Sequence, residues 1–245
     1  MPATCIIDCF PEAALRYRKD YAVIAVDVIR ATTTASTAVS LNRSVHIVQT
    51  TDEAFVLSSK LGKAILAGEL GGNVPYGFDM TNSPVLVAAL SSIDMGEFAS
   101  LETDIILLSS SGTRLILNAE GSAETYLACF RNFSAVADYA SGRHKKIAVI
   151  GAGTRGVFRR EDQMCCAWAA EKLIENGFEA ENKNTENLIR QWSGVSPGEV
   201  FDGRSADYLR RTGQIYDLEF IVNHIDDLDV VPVVRKQLVR NAVRQ

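Results

Sequence analysis

Residues 21–40 read YAVIAVDVIRATTTASTAVS, and the order of apolar and polar residues in this stretch indicates the fold class. The segment Ala22–Val28 is apolar apart from Asp27, which indicates a buried strand. The polar residues RATTT follow at once, and a helical pattern then continues to about Leu41. A strand that leads through a short polar loop into a helix is typical of a βαβ unit.

The same order recurs along the chain. This alternation predicts an α/β fold of three layers, α/β/α, with a largely parallel, mixed sheet. No linker composition interrupts residues 1–245, so we expect a single compact domain. Towards the C-terminus, residues 205–211 (SADYLRR) and 233–243 (VVRKQLVRNAV) are expected to be helical. The predicted strands are Ala22–Val28, Ser44–Gln49, Ala64–Ala67, Asp104–Leu108 and Ile147–Ile150.

Composition excludes several classes of protein. The net charge of −5 comes without a dense Lys/Arg stripe, which argues against nucleic-acid binding. No run of about 18 apolar residues predicts a membrane span, and the first residues lack the pattern of a secretory signal. An odd number of cysteines, five, indicates free thiols in a reducing cytoplasm. We therefore expect a cytoplasmic protein without membrane or nucleic-acid partners. The sequence leaves open whether the chain forms a homo-oligomer.

The polar loops after the strands predict a site at one edge of the sheet. In a parallel sheet, ligands bind beyond the carboxyl ends of the strands. Backbone N–H groups and hydroxyls near helix N-termini suit a bound anion such as phosphate. The simpler alternative is that each acidic residue in these loops only caps a helix or stabilises a turn, and the number of polar loops is what argues against it. The loops are RATTTAS, GELGGNVPYGFDMTNSP, SSSGT and GAGTRG.

These loops also carry acids, which are Asp27, Glu69, Asp79 and the pair Glu161–Asp162. Several carboxylates on one rim repel each other unless a positive charge lies between them. Mg²⁺ is the simplest candidate, because it takes oxygen ligands and is often held by one or two carboxylates together with a substrate phosphate. Acids for a metal and hydroxyls for a phosphate together predict a phosphate-ester site.

Other kinds of chemistry have weaker support. Residues 151–156, GAGTRG, match a dinucleotide-binding fingerprint, but a charged segment follows directly where that fingerprint needs a helix. The three histidines lack the spacing of zinc sites. Ser109, Ser110 and Ser111 lack the surrounding glycines of an acyl hydrolase.

Taken in order, these loops resemble those of the 2-phosphosulfolactate phosphatase family. The resemblance covers nearly the whole chain and rests on VDVIRATTT, GELGG, GFDMTNSP, SSSGTR and AGTRGVFRREDQMC, followed by SADYLRR, YDLEF and VVP. It implies an α/β enzyme that uses Mg²⁺ to release phosphate from 2-phospho-3-sulfolactate, a step towards coenzyme M.

Site residues follow from this resemblance by position. It implies that Asp27, Glu69, Asp79, Glu161 and Asp162 form the polar centre. Chemistry then suggests Asp27, Glu69, Asp79 and Glu161 as metal ligands, and Asp27, Arg30 and Asp162 as catalytic residues, with water attack assisted by an aspartate. The expected contacts of phosphate or sulfonate are Arg30, Thr32, Thr33, Asn82, Ser83, Ser111, Gly112 and Thr113.

The chain departs from the family pattern at two loops. Leu70 stands where the family usually has an arginine, and Ser111 stands where it usually has an asparagine. Leucine cannot replace the bidentate contact that arginine makes with phosphate or sulfonate. These departures keep a second hypothesis open, in which the chain is a non-catalytic protein that binds an anionic metabolite.

Overall fold

A computed structural model describes residues 2–91, 103–153 and 156–244 of the chain. Ten strands from these residues form one sheet, and helices pack on both of its faces. The structure therefore has the three-layer α/β/α fold with a mostly parallel, mixed sheet that the sequence predicts. That the chain is a single domain stays a prediction.

The ten strands are short, with two to six residues each. They are β1 (Thr4–Asp8), β2 (Ala22–Val26), β3 (Val45–Val48), β4 (Ala64–Gly68), β5 (Asp104–Leu108), β6 (Thr125–Ala128), β7 (Lys146–Gly151), β8 (Glu179–Ala180), β9 (Pro232–Arg235) and β10 (Leu238–Asn241). The five strands predicted from the sequence are confirmed as β2, β3, β4, β5 and β7, each within two residues at either end.

The helices alternate with these strands as far as β8 and then follow one another. They are α1 (Ala14–Tyr17), α2 (Ala31–Ser40), α3 (Thr51–Leu61), α4 (Pro84–Ala89), α5 (Gly112–Asn118), α6 (Phe133–Ser141), α7 (Arg160–Glu175), α8 (Lys183–Trp192), α9 (Arg204–Arg211) and α10 (Ile215–Asn223). Helix α9 confirms the helix predicted at 205–211. None of the described helices is long and apolar enough to cross a membrane.

The sheet consists of two parallel groups joined by a hairpin. Its order is β4-β5-β3-β10-β9-β6-β2-β7-β1-β8. Strands β4, β5 and β3 pair in parallel, and so do β6, β2, β7, β1 and β8. The hairpin β9–β10 pairs antiparallel with β6 on one side and with β3 on the other. It therefore connects two units that would otherwise each end in an open edge.

The prediction of a helix over residues 233–243 is wrong, because residues 232–241 form the β9–β10 hairpin and only the short 3-10 turn Ala242–Arg244 follows it. Its two turn residues, Lys236 and Gln237, have φ angles of 49° and 65°. Such two-residue turns usually carry Asn-Gly or a similar pair. The Lys-Gln turn gives no such signal, so the apolar pairs on either side of it could also be read as one face of a helix.

Strand β2 is buried on both faces, which explains its continuous apolar run. Ile24 and Val26 face a core that includes Met164 of α7, whereas Val23 and Ala25 face a second core. Each large aliphatic side chain buried in this way contributes about 1.5–3 kcal/mol to folding. The strand thus holds the loop that begins at Asp27 rigidly between two cores.

Candidate active site

A cavity of about 410 Å³ lies where the loops after β2, β4, β5 and β7 meet the first turns of α7 and α9. The carboxyl-terminal loops that the sequence predicts to converge therefore do so. Part of the fourth loop, Thr154 and Arg155 of GAGTRG, lies outside the described residues. The predicted site residues that line the cavity are Asp27, Arg30, Glu69, Asn82, Ser111 and Asp162.

The threonines after Asp27 bind the backbone of their own loop. The Thr32 hydroxyl donates to the Asp27 carbonyl oxygen at 2.8 Å and accepts from the Asp27 N–H at 2.9 Å. The Thr33 hydroxyl donates to the Val28 carbonyl oxygen at 2.8 Å. Threonine and serine at helix starts often close loops in this way. Both residues are buried and neither lines the cavity, so the structure gives the predicted substrate contacts of Thr32 and Thr33 no support.

Asp27 lies in the cavity wall near other carboxylates. Its side chain is 7% exposed and accepts a long hydrogen bond, 3.4 Å, from the Ala31 N–H. Burial, and then the negative charges of Glu69 and Glu161, raise the pKa of Asp27 to about 7, although Arg159 acts in the opposite direction. The surroundings therefore disfavour the charged form of Asp27, and a bound cation would favour it.

The acidic pair at the start of α7 faces the same region. The Asp162 Oδ1 accepts a hydrogen bond from the Val28 N–H at 2.8 Å, so α7 is tied to the loop after β2. Burial, followed by the charges of Asp27 and Glu161, raises the pKa of Asp162 well above its ordinary value. Burial also raises the pKa of Glu161, whose carboxylate hydrogen-bonds to Ser205. Glu161 lies beside the cavity but does not line it.

Glu69 links the loops that follow β4 and β5. Its Oε1 accepts from the Ser110 N–H at 2.9 Å, and its Oε2 accepts from the Gly72 N–H at 2.7 Å. The next residue, Leu70, is 42% exposed and is not among the cavity residues. The position at which the family pattern has an arginine therefore lies beside the cavity, on the same turn as Glu69.

Three further predicted site residues do not reach the cavity. Asp79 is exposed, and its Oδ2 accepts a hydrogen bond from the Leu66 N–H at 2.8 Å. Ser83 caps α4 by accepting from the Leu86 N–H at 3.2 Å. The Thr113 hydroxyl donates to the Ser109 carbonyl oxygen at 2.5 Å. Each of the three thus makes a hydrogen bond to nearby backbone, of β4, of α4 or of the loop before α5, which sequence position alone does not reveal.

The start of α5 approaches Asp27 closely. A Cβ atom at Gly112 would collide with the Asp27 Oδ2 and with the Ala31 side chain. Asn82 lines the cavity from another direction, and its buried Oδ1 has no hydrogen-bond partner among the described residues. Such a buried acceptor is costly unless a ligand or water satisfies it. Asn82 is therefore suited to contact a bound molecule.

Arg30 lies in the cavity wall and is held by residues that were not among the predicted site residues. Its Nη1 donates to the Gln214 Oε1 and to the Asp217 Oδ2, both at 2.5 Å, and its Nη2 donates to the Thr81 hydroxyl at 3.3 Å. Gln214 precedes α10 and Asp217 lies in it, far from Arg30 in the chain.

Helix α9 supplies further cavity residues that were not predicted. Tyr208 donates its hydroxyl hydrogen to the Gly72 carbonyl oxygen and so holds the loop after β4. Arg204 of α9 and Arg159, which precedes α7, also line the cavity. Neither arginine forms an ion pair or a side-chain hydrogen bond with another described residue. The strings SADYLRR and YDLEF carry part of the family resemblance, and they are the only signal that could have identified Tyr208 and Asp217.

The donor chemistry of the acids suits Mg²⁺, although the described residues form no complete metal cage. In the part of the chain that the structure describes, no three residues among Asp, Glu, His and Cys come close enough to hold a metal ion. Two of the four predicted ligands, Asp27 and Glu69, line the cavity, whereas Asp79 and Glu161 do not. One or two carboxylates with waters and a substrate phosphate are a common set for this ion.

The dinucleotide alternative loses support from the position of Gly156. This residue lies in a turn with a φ angle of 72°, four residues before α7 begins at Arg160. The fingerprint requires its third glycine to lie within the helix, packed against the strand. The described glycines of this loop instead let the chain pass closely, since a Cβ at Gly153 would collide with the Cys9 carbonyl oxygen.

Comparison with known proteins gives a consistent result. Residues 10–237 match a family model described as 2-phosphosulpholactate phosphatase. A protein of Carboxydothermus hydrogenoformans named as a probable 2-phosphosulfolactate phosphatase is 36% identical, with 91% of this chain and 90% of the relative covered. Relatives with the same name from Caldanaerobacter subterraneus subsp. tengcongensis and Prochlorococcus marinus are each 29% identical. The match to the Caldanaerobacter relative covers 91% of this chain and 92% of the relative. The match to the Prochlorococcus relative covers 83% of this chain and 81% of the relative.

Proposed function

The chain belongs to the 2-phosphosulpholactate phosphatase family, and from this premise we propose that it hydrolyses a small phosphomonoester with the help of Mg²⁺. The substrate proposed is 2-phospho-3-sulfolactate, with 3-sulfolactate and phosphate as products. The observation that carries the proposal is a single cavity lined by carboxylates, Asp27, Glu69 and Asp162, together with the guanidinium of Arg30.

Asp27 and Glu69 are the residues that would hold Mg²⁺. Both line the cavity, and the charge of Glu69 is the largest influence after burial on the pKa of Asp27. When bound, the ion would neutralise charge on the phosphoryl oxygens. Asp79 and Glu161, the other two predicted ligands, lie outside the cavity lining.

Asp162 is suited to receive a proton from the attacking water. Its Oδ1 is occupied by the Val28 N–H, and its Oδ2 has no hydrogen bond to the described residues. Arg30 would bind the phosphoryl oxygens and stabilise their charge as the bond to the leaving group breaks. We propose that water attacks the phosphorus in line with the leaving group, without a covalent phosphoenzyme.

Arg159 and Arg204 are candidates for binding the other anionic groups of the substrate. The molecule 2-phospho-3-sulfolactate carries a sulfonate and a carboxylate besides its phosphate. Both arginines line the cavity without an ion-pair partner among the described residues. Arginine can bind two oxygens of a carboxylate or a sulfonate at once, which lysine cannot do in the same fixed geometry.

The test is phosphate release from a panel of phosphomonoesters that includes 2-phospho-3-sulfolactate, measured in Mg²⁺ and in EDTA. We expect turnover that EDTA abolishes and that added Mg²⁺ restores. Equal rates in both conditions would contradict the role of the metal. The cytoplasmic location and a place on the route to coenzyme M stay predictions.

A non-catalytic anion-binding protein remains the second candidate, because Leu70 and Ser111 depart from the family pattern. Isothermal titration calorimetry together with a phosphate-release assay distinguishes the binding protein from the phosphatase. Binding of 2-phospho-3-sulfolactate without phosphate release in Mg²⁺ would favour the binding protein, whereas release at a rate above that of the denatured enzyme would favour the phosphatase.

A further inference from the structure

Asp217 is a buried acid that the proposed mechanism does not use. It lies in α10 and has a fully buried side chain, whereas Arg30 precedes α2, 187 positions earlier in the chain. The Asp217 Oδ2 nevertheless accepts a hydrogen bond from the Arg30 Nη1 at 2.5 Å, and the Arg30 side chain is only 3% exposed. A buried ion pair of this kind is not by itself a source of stability, because both charges lose their hydration.

The second oxygen of Asp217 is also bound. Its Oδ1 accepts a hydrogen bond from the Ser83 hydroxyl at 2.5 Å, and Ser83 in turn caps α4. The carboxylate is therefore held by α4 on one side and bound to Arg30 on the other. With its position in α10 set by the helix, Asp217 has little freedom to move away from the guanidinium.

The hydrogen bonds of Arg30 occupy one side of its guanidinium group. Both hydrogens of Nη1 are used by Asp217 and Gln214, and one hydrogen of Nη2 is used by Thr81. Of the five N–H donors of arginine, the Nε–H and the second Nη2–H remain. Nε makes no hydrogen bond to the described residues, and Arg30 lines the cavity. These two donors form the edge that binds two oxygens of a phosphate at once.

We propose that Asp217 is a positioning residue: with Gln214 and Thr81 it holds Arg30 so that the free edge of the guanidinium binds the phosphoryl group. This inference rests on the proposed function, since it concerns the same cavity. It adds to the site a residue of α10, 187 positions from Arg30 in the chain.

The experiment compares three variants with the unchanged protein. Asp217→Asn removes the charge but keeps the shape of the side chain. Gln214→Ala removes a second partner of Arg30 at a partly exposed position where folding is less at risk. Asp227→Asn is the matched control, because Asp227 makes a two-pronged ion pair with Arg131 at 2.9 and 2.7 Å and neither residue lines the cavity. The readouts are the Kd for inorganic phosphate in Mg²⁺, kcat, KM and the melting temperature.

We expect Asp217→Asn to raise the Kd for phosphate and lower kcat/KM by about 10- to 150-fold, the usual cost of one charge-assisted contact. Gln214→Ala should act in the same direction with a smaller effect. Asp227→Asn should lower the melting temperature while leaving the Kd for phosphate unchanged. A Kd that responds equally to Asp217→Asn and Asp227→Asn, or to neither, would overturn the positioning role.

Failure of the proposed function has a different signature. A protein without turnover whose phosphate binding is still weakened by Asp217→Asn would contradict the phosphatase and support the role of Asp217. If Asp217→Asn does not fold, Gln214→Ala decides, because an unchanged Kd for phosphate in that variant contradicts the proposal.

Discussion

The charge of Asp27 is the residue-scale feature on which the candidate site depends. We expect Asp27→Asn to abolish turnover and, in EDTA at pH 8, to melt at a higher temperature than the unchanged protein. Folding raises the pKa of Asp27 from 3.8 to about 7, so the folded state retains a proton that the unfolded chain has lost. Wild-type stability therefore falls as the pH rises from about 4 to 7, and the variant avoids this loss.

The measurement is thermal unfolding of both proteins in EDTA at pH 5 and pH 8. The advantage of Asp27→Asn should be larger at pH 8 than at pH 5, where the folded wild-type protein carries neutral Asp27 and only the unfolded chain is ionised. Each kcal/mol corresponds to about 2–4 °C for a chain of this size. A lower melting temperature of the variant at pH 8 would instead show that Asp27 acts mainly as a structural cap for the Ala31 N–H.

Arg204 allows the choice of substrate to be tested separately from the chemistry. We expect Arg204→Ala to raise KM for 2-phospho-3-sulfolactate about 10-fold or more, as loss of one charged contact does. The KM for 2-phospholactate, which lacks the sulfonate, should change far less. Arg210 of the same helix pairs with Asp207 and does not line the cavity, so Arg210→Ala is the control. Equal effects on both substrates would place Arg204 away from the sulfonate.

Leu70 permits the opposite experiment, the gain of a contact. Replacement Leu70→Arg should lower KM for the sulfonated substrate, because the new guanidinium would start from the turn that carries Glu69. The side chain at this position is 42% exposed, so the change should cost little stability. Steady-state kinetics on the sulfonated and unsulfonated phosphoesters is the measurement, and an unchanged KM for both would show that position 70 does not reach the substrate.

Much of the candidate site could be predicted at the residue scale, because acids directly after strands must lie at one sheet edge. Asp27 and Glu69 are of this kind, and both line the cavity. The roles of Thr32 and Thr33 could not be predicted, since a threonine that closes a loop and a threonine that binds a ligand look the same in a sequence. The partners of Arg30 were missed because contacts across 187 positions leave no periodic pattern.

Helix α5 sets the element-scale constraint on the site, because its first residue must lack a side chain. We expect Gly112→Ala to displace Asp27 or the helix, since its Cβ would collide with the Asp27 Oδ2 and the Ala31 Cβ. Overpacking of this kind costs about 1–3 kcal/mol. The variant should lose most of its turnover and melt at a lower temperature.

Gly142, at the end of α6, is the matched control. Its φ angle is −70° and an added Cβ would meet nothing closer than 3.8 Å, so Gly142→Ala should fold normally and keep full activity. Activity assays and thermal unfolding of both variants decide the question. A Gly112→Ala protein with wild-type kcat would show that α5 can withdraw from Asp27 without consequence.

At the element scale the strands could be predicted and the hairpin could not. Strands β2, β4 and β7 are continuous apolar runs bounded by polar loops, a pattern that arises when both faces of a parallel sheet are covered. The hairpin β9–β10 is partly exposed and turns through Lys236–Gln237, so it shows neither the apolar run nor the glycine that would mark it.

At the scale of the whole molecule, the hairpin determines whether the two parallel groups behave as one unit. It contacts β3 through two residue pairs and β6 through two others. Its Val239 is fully buried in a core that also contains residues of β2, β3 and β5. The helix α2, which begins at the candidate site, packs against both strands of the hairpin and against β3 and β6. The site therefore spans both groups, and its geometry requires that they do not separate.

The two tryptophans provide a test of this coupling, because Trp168 and Trp192 both lie on helices packed near β1, on one side of the hairpin. Their fluorescence reports one parallel group, whereas far-UV circular dichroism reports both. If the chain is one cooperative domain, the two signals should give the same denaturant midpoint. Val239→Ala, on the hairpin, should lower both midpoints together by an amount equivalent to roughly 1–3 kcal/mol. A tryptophan midpoint that stays at its wild-type value while the circular dichroism midpoint falls would show two independent units, and a site between them would then have to assemble from parts that fold separately.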